Sequence, residues 1–250
     1  VVVLIGFSAS AFDISRDIAG LAKEVHITTR FQAKGISGKQ PVYHNLWLHP
    51  LIERAHKDGR VLFQDGTEVL ADVILHCTGY TYHFPFLDTG GVVNVDDNRV
   101  GPLYKHVFPP TLAPGLSFVG IPSFAIHFVV FELQSKWIAG ALSGQIPLPP
   151  KEKMMEDIQA FYSKLEAKGV PKRHTHKIHD YKNLGSFEYE DWLAMQCGCP
   201  PIEEWRKRIF FARIGRAFKQ TYTSSHDEWD VDSLVLEEKE DFLKLLLCST

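Results

Sequence analysis

The chain opens on Val1-Val2-Val3-Leu4-Ile5, an unbroken aliphatic run that passes straight into the small residues Gly6-Phe7-Ser8-Ala9-Ser10. No other feature constrains the fold as strongly. A run this short, without polar alternation, reads as a strand covered on both faces, as in parallel sheets. Residues 11–23 follow with Ile14, Ile18, Leu21 and Ala22 at three- and four-residue steps, which predicts an amphipathic helix. Val25-His26-Ile27-Thr28-Thr29 then reads as a second, β-branched strand. Strand, tight turn, helix and strand in so few residues predict a compact βαβ unit, the size of a mononucleotide-binding half.

The turn itself carries chemistry. In a dinucleotide-binding turn the first glycine permits the bend, a second small residue admits the pyrophosphate, and a third lets helix and strand pack closely. Those three places hold Gly6, Ser8 and Ala11, with Phe7, Ala9 and Ser10 between them. Ser8 and Ser10 add hydroxyls, and the start of a helix favours an anion. A plain strand–turn–helix accounts for the same six residues. The end of the second strand, where an acidic residue would bind the ribose of NAD, holds Arg30 instead. An arginine there suits the 2′-phosphate of NADP, although a surface arginine needs no such purpose.

Composition narrows the function classes. With 27 Lys+Arg against 30 Asp+Glu the net charge is −3, so no basic field points to nucleic acid. At 45% hydrophobic and 23% charged residues the chain is ordinary for a folded globular protein, and 250 residues allow one large domain or two modest ones. Cys77, Cys197, Cys199 and Cys248 form neither a CxxC pair nor a disulfide framework, which predicts a reduced, cytoplasmic setting. The longest apolar stretch, residues 117–131, is broken by Pro122 and His127 and falls short of the ~20 residues of a membrane span.

Further along, residues 31–45 read as loop, and Asp65-Gly66 between two short strands reads as a hairpin turn. Strands are predicted over 72–77 and 116–120, and helices over 131–143, 153–168, 201–222 and 239–247. Cys77-Thr78-Gly79-Tyr80 ends the strand over 72–77, with Cys77 expected to be a buried small residue. His174-Thr175-His176-Lys177-Ile178-His179 lacks a carboxylate or cysteine at matching spacing, so a solvated loop or helix start is expected rather than a metal site. Cys197-Gly198-Cys199-Pro200-Pro201 reads as a helix-bounding turn, and Glu188, Glu190 and Asp191 as a solvated face.

Taken in order, these segments resemble one family. The turn from Gly6 to Ile18 is similar to the NADPH-binding turn of flavin-containing monooxygenases. Trp47-Leu48-His49-Pro50, the Asp65-Gly66 hairpin, the strand ending in Cys77-Thr78-Gly79-Tyr80 and His83-Phe84-Pro85-Phe86-Leu87 follow in that family's order. Arg99-Val100-Gly101-Pro102-Leu103-Tyr104 and Phe131-Glu132-Leu133-Gln134-Ser135-Lys136-Trp137 complete the set, which resembles the plant glucosinolate S-oxygenase branch. The resemblance implies an α/β chain in three parts. These are a Rossmann-like NADPH-binding domain over 1–80, the returning part of a split FAD-binding domain over 81–148, and a helical C-terminal region over 149–250. It implies that NADPH reduces FAD, that O₂ adds to give a C4a-hydroperoxyflavin, and that a soft nucleophile such as a thioether sulfur takes one oxygen atom. The cofactor contacts implied are Gly6, Phe7, Ser8, Ala9, Ser10, Ala11 and Arg30, with no metal and no catalytic residue assigned.

Two of that family's marks have no counterpart here: the FAD-binding GxGxxG and the identifying motif that precedes the NADPH turn. The expectation is therefore a chain cut from something longer, with an incomplete FAD site and poor oxygenation. The alternative is a catalytically dead NADPH-binding pseudoenzyme.

Overall fold

The computed structural model describes residues 1–30, 38–40, 43–178 and 187–219. They fall into two compact units, one built on Val1–Tyr80 and the other on Thr81–Phe210.

The first unit is a Rossmann-like α/β layer structure. Its elements are β1 (Val2–Ile5), α1 (Ala9–Ala19), β2 (Val25–Thr28), β3 (Gly38–Lys39), β4 (Leu46–His49), β5 (Ile52–Ala55), β6 (Arg60–Phe63), β7 (Glu68–Leu70) and β8 (Val73–His76). One sheet runs β3-β4-β2-β1-β8, with β1, β2, β4 and β8 parallel and β3 antiparallel at the edge. β5, β6 and β7 form a separate antiparallel meander.

The strand alternation decides what covers each face. Leu4, Val25, Ile27, Leu46 and Leu48 pack with Ala11, Ile14 and Ile18 of α1 on one side. Val3 packs with Val61 and Phe63 of the meander on the other. The aliphatic opening run is thus buried on both faces at its centre, Val3 and Leu4 each being fully buried. The hairpin turn falls where Asp-Gly predicts it: Gly66 takes φ +83°, and Asp65 Oδ1 accepts the Thr67 N–H at 2.9 Å.

The helix predicted over 11–23 is displaced, ending at Ala19. The reason is Asn45, a buried residue whose side-chain amide donates to the carbonyls of Ala19 (2.7 Å) and Ala22 (2.8 Å). These are the acceptors a helix end leaves unsatisfied, and Asn45 takes them out of the helical ladder. Asn45→Ala should lower stability by about 1–2 kcal/mol by leaving them unpaired, measured by urea unfolding; an unchanged midpoint would contradict this role.

The second unit holds β9 (Asn94–Asp96) and β10 (Arg99–Gly101), paired antiparallel, then α2 (His127–Leu142), α3 (Lys151–Ala167), a 3₁₀ turn (Lys172–His174), α4 (Glu188–Gln196) and the start of α5 (Glu204–Lys219). Its core gathers Tyr104, Phe108, Trp137, Met154, Ile158 and Leu193. Trp137 is the centre, with ring centroids 4.9 Å from Phe108 and 5.0 Å from Trp192.

Three expectations fail here. Residues 116–120 form no strand: Phe118 donates to the Val107 carbonyl at 2.9 Å and buries its ring in a local core with Val100 and Ile121. Its apolar character serves packing rather than sheet pairing. The histidine segment does start as a 3₁₀ turn beside Pro171, but it is not solvated at His176, which is buried, accepts the Val100 N–H at 3.0 Å through Nε2 and meets His106 Nδ1 at 2.9 Å through its own Nδ1. Glu190 is likewise fully buried rather than part of a solvated face, and Asp191 accepts the Ile202 N–H at 3.0 Å. The Cys197-Gly198 turn does close α4, Gly198 at φ +64°. His179, the segment over 239–247 and Cys248 lie outside the described residues.

Candidate dinucleotide site at the carboxyl ends of β1 and β8

In open α/β sheets ligands sit beyond the carboxyl ends of the strands, where the strand order reverses. Here the reversal is at β1. The chain leaves β1 through α1 toward β2 on one side and returns through β8 on the other. Among the described residues β1 is the one parallel strand that runs directly into an α-helix.

The Gly6–Ala11 turn and the Cys77-Thr78-Gly79-Tyr80 strand end meet at this point. The Ile5 carbonyl accepts the Cys77 N–H at 2.8 Å, and the Gly6 N–H donates to the Thr28 carbonyl at 3.2 Å. Gly6 has φ +115°, a conformation open to glycine and little else. A Cβ on it would stand 2.4 Å from the Cys77 carbonyl oxygen. The turn after β1 and the turn after β8 therefore approach each other backbone to backbone, and only a residue without a side chain fits.

Ser8 is the N-cap of α1, in extended backbone, and its hydroxyl makes no capping hydrogen bond. No acidic side chain lies in the first turn. Ser8, Ala9 and Ser10 are exposed, so the first amide groups and the positive end of the helix dipole face outward. That is the arrangement an anion such as a pyrophosphate would use. Ala11, in the third glycine's place, is fully buried against the sheet, where a methyl group packs without clash. Phe7 lies beside Phe12 with ring centroids 4.5 Å apart. Burial raises the Cys77 thiol above its ordinary range, which suits a packing residue rather than a nucleophile. Arg30 is exposed and follows directly on Thr29, past the carboxyl end of β2.

Sequence reasoning missed a polar chain beneath this end of the sheet. His26 Nδ1 meets His49 Nε2 at 2.9 Å, His49 Nδ1 meets Asp65 Oδ2 at 3.2 Å, and Glu24 Oε2 stands 3.5 Å from His26 Nε2. Both histidines are buried, and His49 stacks on Phe63 at 4.1 Å. Burial, and then the neighbouring His49, hold the His26 imidazole below its ordinary range. The available signal was a histidine inside a β-branched strand, which must find a polar partner once covered on both faces. Among the described residues no group of three or more His, Cys, Asp or Glu could hold a metal ion, and no helix is long and apolar enough to cross a membrane.

Residues 43–201 match the flavin-binding monooxygenase-like family. The chain belongs to that family. It is 57% identical over 244 residues to the flavin-containing monooxygenase FMO GS-OX-like 5 of Arabidopsis thaliana, covering 97% of this chain and 53% of that protein. To FMO GS-OX5 of the same plant it is 53% identical over 250 residues, covering 100% of this chain and 53% of the relative. Among solved structures, S-allyl-L-cysteine S-oxygenase from Allium sativum matches with a TM-score of 0.86 and 56% identity, over 97% of this chain and 54% of that one. Tmm from Pelagibacter sp. strain HTCC7211 matches with a TM-score of 0.66 and 27% identity, over 86% of this chain and 46% of that one. The chain thus spans about half the length of the proteins it matches, within the plant S-oxygenase-like branch of the family.

Proposed function

We propose that residues 1–80 are the NADPH-binding domain of a flavin-dependent S-oxygenase, with residues 81–148 the returning part of the FAD domain and 149–250 its helical C-terminal region. The observation that carries this is the close approach of Gly6 to the Cys77 carbonyl, which leaves no room for a Cβ and brings the strand ends of β1 and β8 together beside an outward-facing, uncapped helix start. The residues present fit NADPH. Amide groups at the start of α1 would bind the pyrophosphate, Gly6 and Ser8 would let it approach, and Arg30 would pair with the 2′-phosphate.

When bound, FAD supplies oxygen activation, the chemistry this chain's own side chains lack. The net reaction is that of a monooxygenase. NADPH gives two electrons, one atom of O₂ goes to a thioether sulfur and the other leaves as water with two protons. The substrate class rests on the neighbour named S-allyl-L-cysteine S-oxygenase and on the resemblance to the plant glucosinolate S-oxygenase branch, and methylthioalkyl glucosinolate-like thioethers are the first to try. We place the protein in the cytoplasm.

Arg30→Ala tests the cofactor assignment. Losing a charge-assisted pair should weaken NADPH binding by about 10- to 100-fold while changing NADH little, measured by calorimetry. Equal losses for both would remove Arg30 from the site.

A further inference from the structure

Arg30 is exposed, so its position depends on the backbone that carries it. That backbone is fastened to one residue of the neighbouring strand. In the parallel register Thr28 lies opposite His49, and the Thr29 N–H donates to the His49 carbonyl at 2.9 Å. On the other side of β2 the Thr28 carbonyl accepts the Gly6 N–H, so the last residues before Arg30 are held between β4 and the glycine turn.

His49 is in turn fixed by its side chain. The imidazole is 4% exposed as a residue, lies parallel to the Phe63 ring at 11°, and uses both nitrogens. Nε2 faces His26 within the sheet, and Nδ1 faces Asp65 in the turn between β6 and β7. The Asp65 carboxylate only accepts, so His49 Nδ1 carries the proton, and Nε2 accepts from His26 Nδ1. This tautomer satisfies both contacts without a net charge on the pair. Asp65 is itself set by the Thr67 N–H on its other oxygen. A continuous chain therefore runs from the meander turn through His49 to the backbone that delivers Arg30. Besides His49 its members are His26, Asp65 and Phe63; His26 Nε2 carries a lone pair in this tautomer, so Glu24 Oε2 at 3.5 Å stands beside the chain and not in it.

We infer that His49 is a positioning residue for the nicotinamide dinucleotide, holding the end of β2 so that Arg30 meets the 2′-phosphate. The inference rests on the assignment of Arg30 above. It makes His49 a determinant of NADPH over NADH, although its side chain is buried.

The test is a binding cycle on the whole chain with NADPH and NADH as probes. His49→Phe keeps the ring stacked on Phe63 and removes both polar contacts. It should weaken NADPH about 5- to 10-fold and leave NADH within about twofold, and it should add nothing in an Arg30→Ala background. A purely structural role would weaken both dinucleotides alike. That result, or a His49→Phe effect that persists without Arg30, overturns the inference. If the phenylalanine variant does not fold, His49→Gln makes the same comparison, since it can keep the contact to His26 but not the one to Asp65. Selective loss in Arg30→Ala with none in either His49 variant overturns this inference alone. Equal losses in Arg30→Ala overturn the assignment of Arg30 and the inference with it.

Discussion

Gly6→Ala is expected to destabilise the first unit by about 2–6 kcal/mol and to abolish NADPH binding. Two costs combine. Backbone at φ +115° is strained by about 1–3 kcal/mol for any residue with a Cβ. The methyl group would also stand 2.4 Å from the Cys77 carbonyl oxygen and 2.9 Å from its carbon, against backbone that cannot swing aside as a side chain would. Relief requires β1 and β8 to part at their carboxyl ends, and overpacking of this kind costs about 1–3 kcal/mol more. Gly66→Ala is the control: it shares a positive φ, +83°, but nothing lies within 4 Å of the added Cβ. It should show the conformational cost alone and keep NADPH affinity. Urea unfolding with NADPH titration distinguishes the two, and a Gly6→Ala protein as stable as Gly66→Ala would refute the close approach.

Acid should unfold the second unit early. His176 accepts the Val100 N–H at Nε2, so its proton lies on Nδ1 and is donated to His106 Nδ1. Neither nitrogen of His176 can take a second proton without breaking one of these contacts. Burial, with the Arg99 guanidinium adding to it, brings its value down to about 4. In the unfolded chain an imidazole titrates near 6.5. The unfolded state therefore binds more protons below that value, and stability falls as pH falls. The stabilisation is complete above about pH 6.5 and is lost progressively down to about pH 4. From pH 7.5 to 5 His176 alone accounts for about 2 kcal/mol, before most carboxylates titrate. His106, also held well below its ordinary range by burial, adds in the same direction. Urea midpoints across this range should show the decline, with a smaller slope in His176→Gln. A wild-type midpoint flat from pH 7.5 to 5 would contradict the buried neutral pair.

How much of this was legible in the sequence depends on the range of the interactions. The βαβ opening, the Asp65-Gly66 turn, α2 and α3 follow from local rules: aliphatic runs, three- and four-residue periodicity, and a dipeptide suited to positive φ. Where distant residues decide, local rules miss. α1 stops early because Asn45, 26 positions after Ala19, takes its last carbonyl. Residues 116–120 have strand-like composition but are spent on a core with Val100. His176 reads as solvated beside Pro171 until β10, 76 positions away, brings Val100 to it.

The candidate site shows the same division. Gly6-Phe7-Ser8-Ala9-Ser10-Ala11 is recognisable as a turn of small residues before a helix, and Cys77-Thr78-Gly79-Tyr80 as a strand end. That the two touch is a property of the β1–β8 pairing, which no local pattern encodes. The His26–His49–Asp65 chain was less legible still, because its members lie in two strands and a hairpin turn and join only when the meander covers the sheet.

In the function proposed above, this chain carries the NADPH site of a flavin-dependent monooxygenase. The most direct measurement is calorimetric titration of the whole chain with NADPH and then with NADH. One site per chain is expected, with NADPH bound at least about tenfold more tightly than NADH. Equal affinity for the two, or no binding of either by the folded chain, would contradict it.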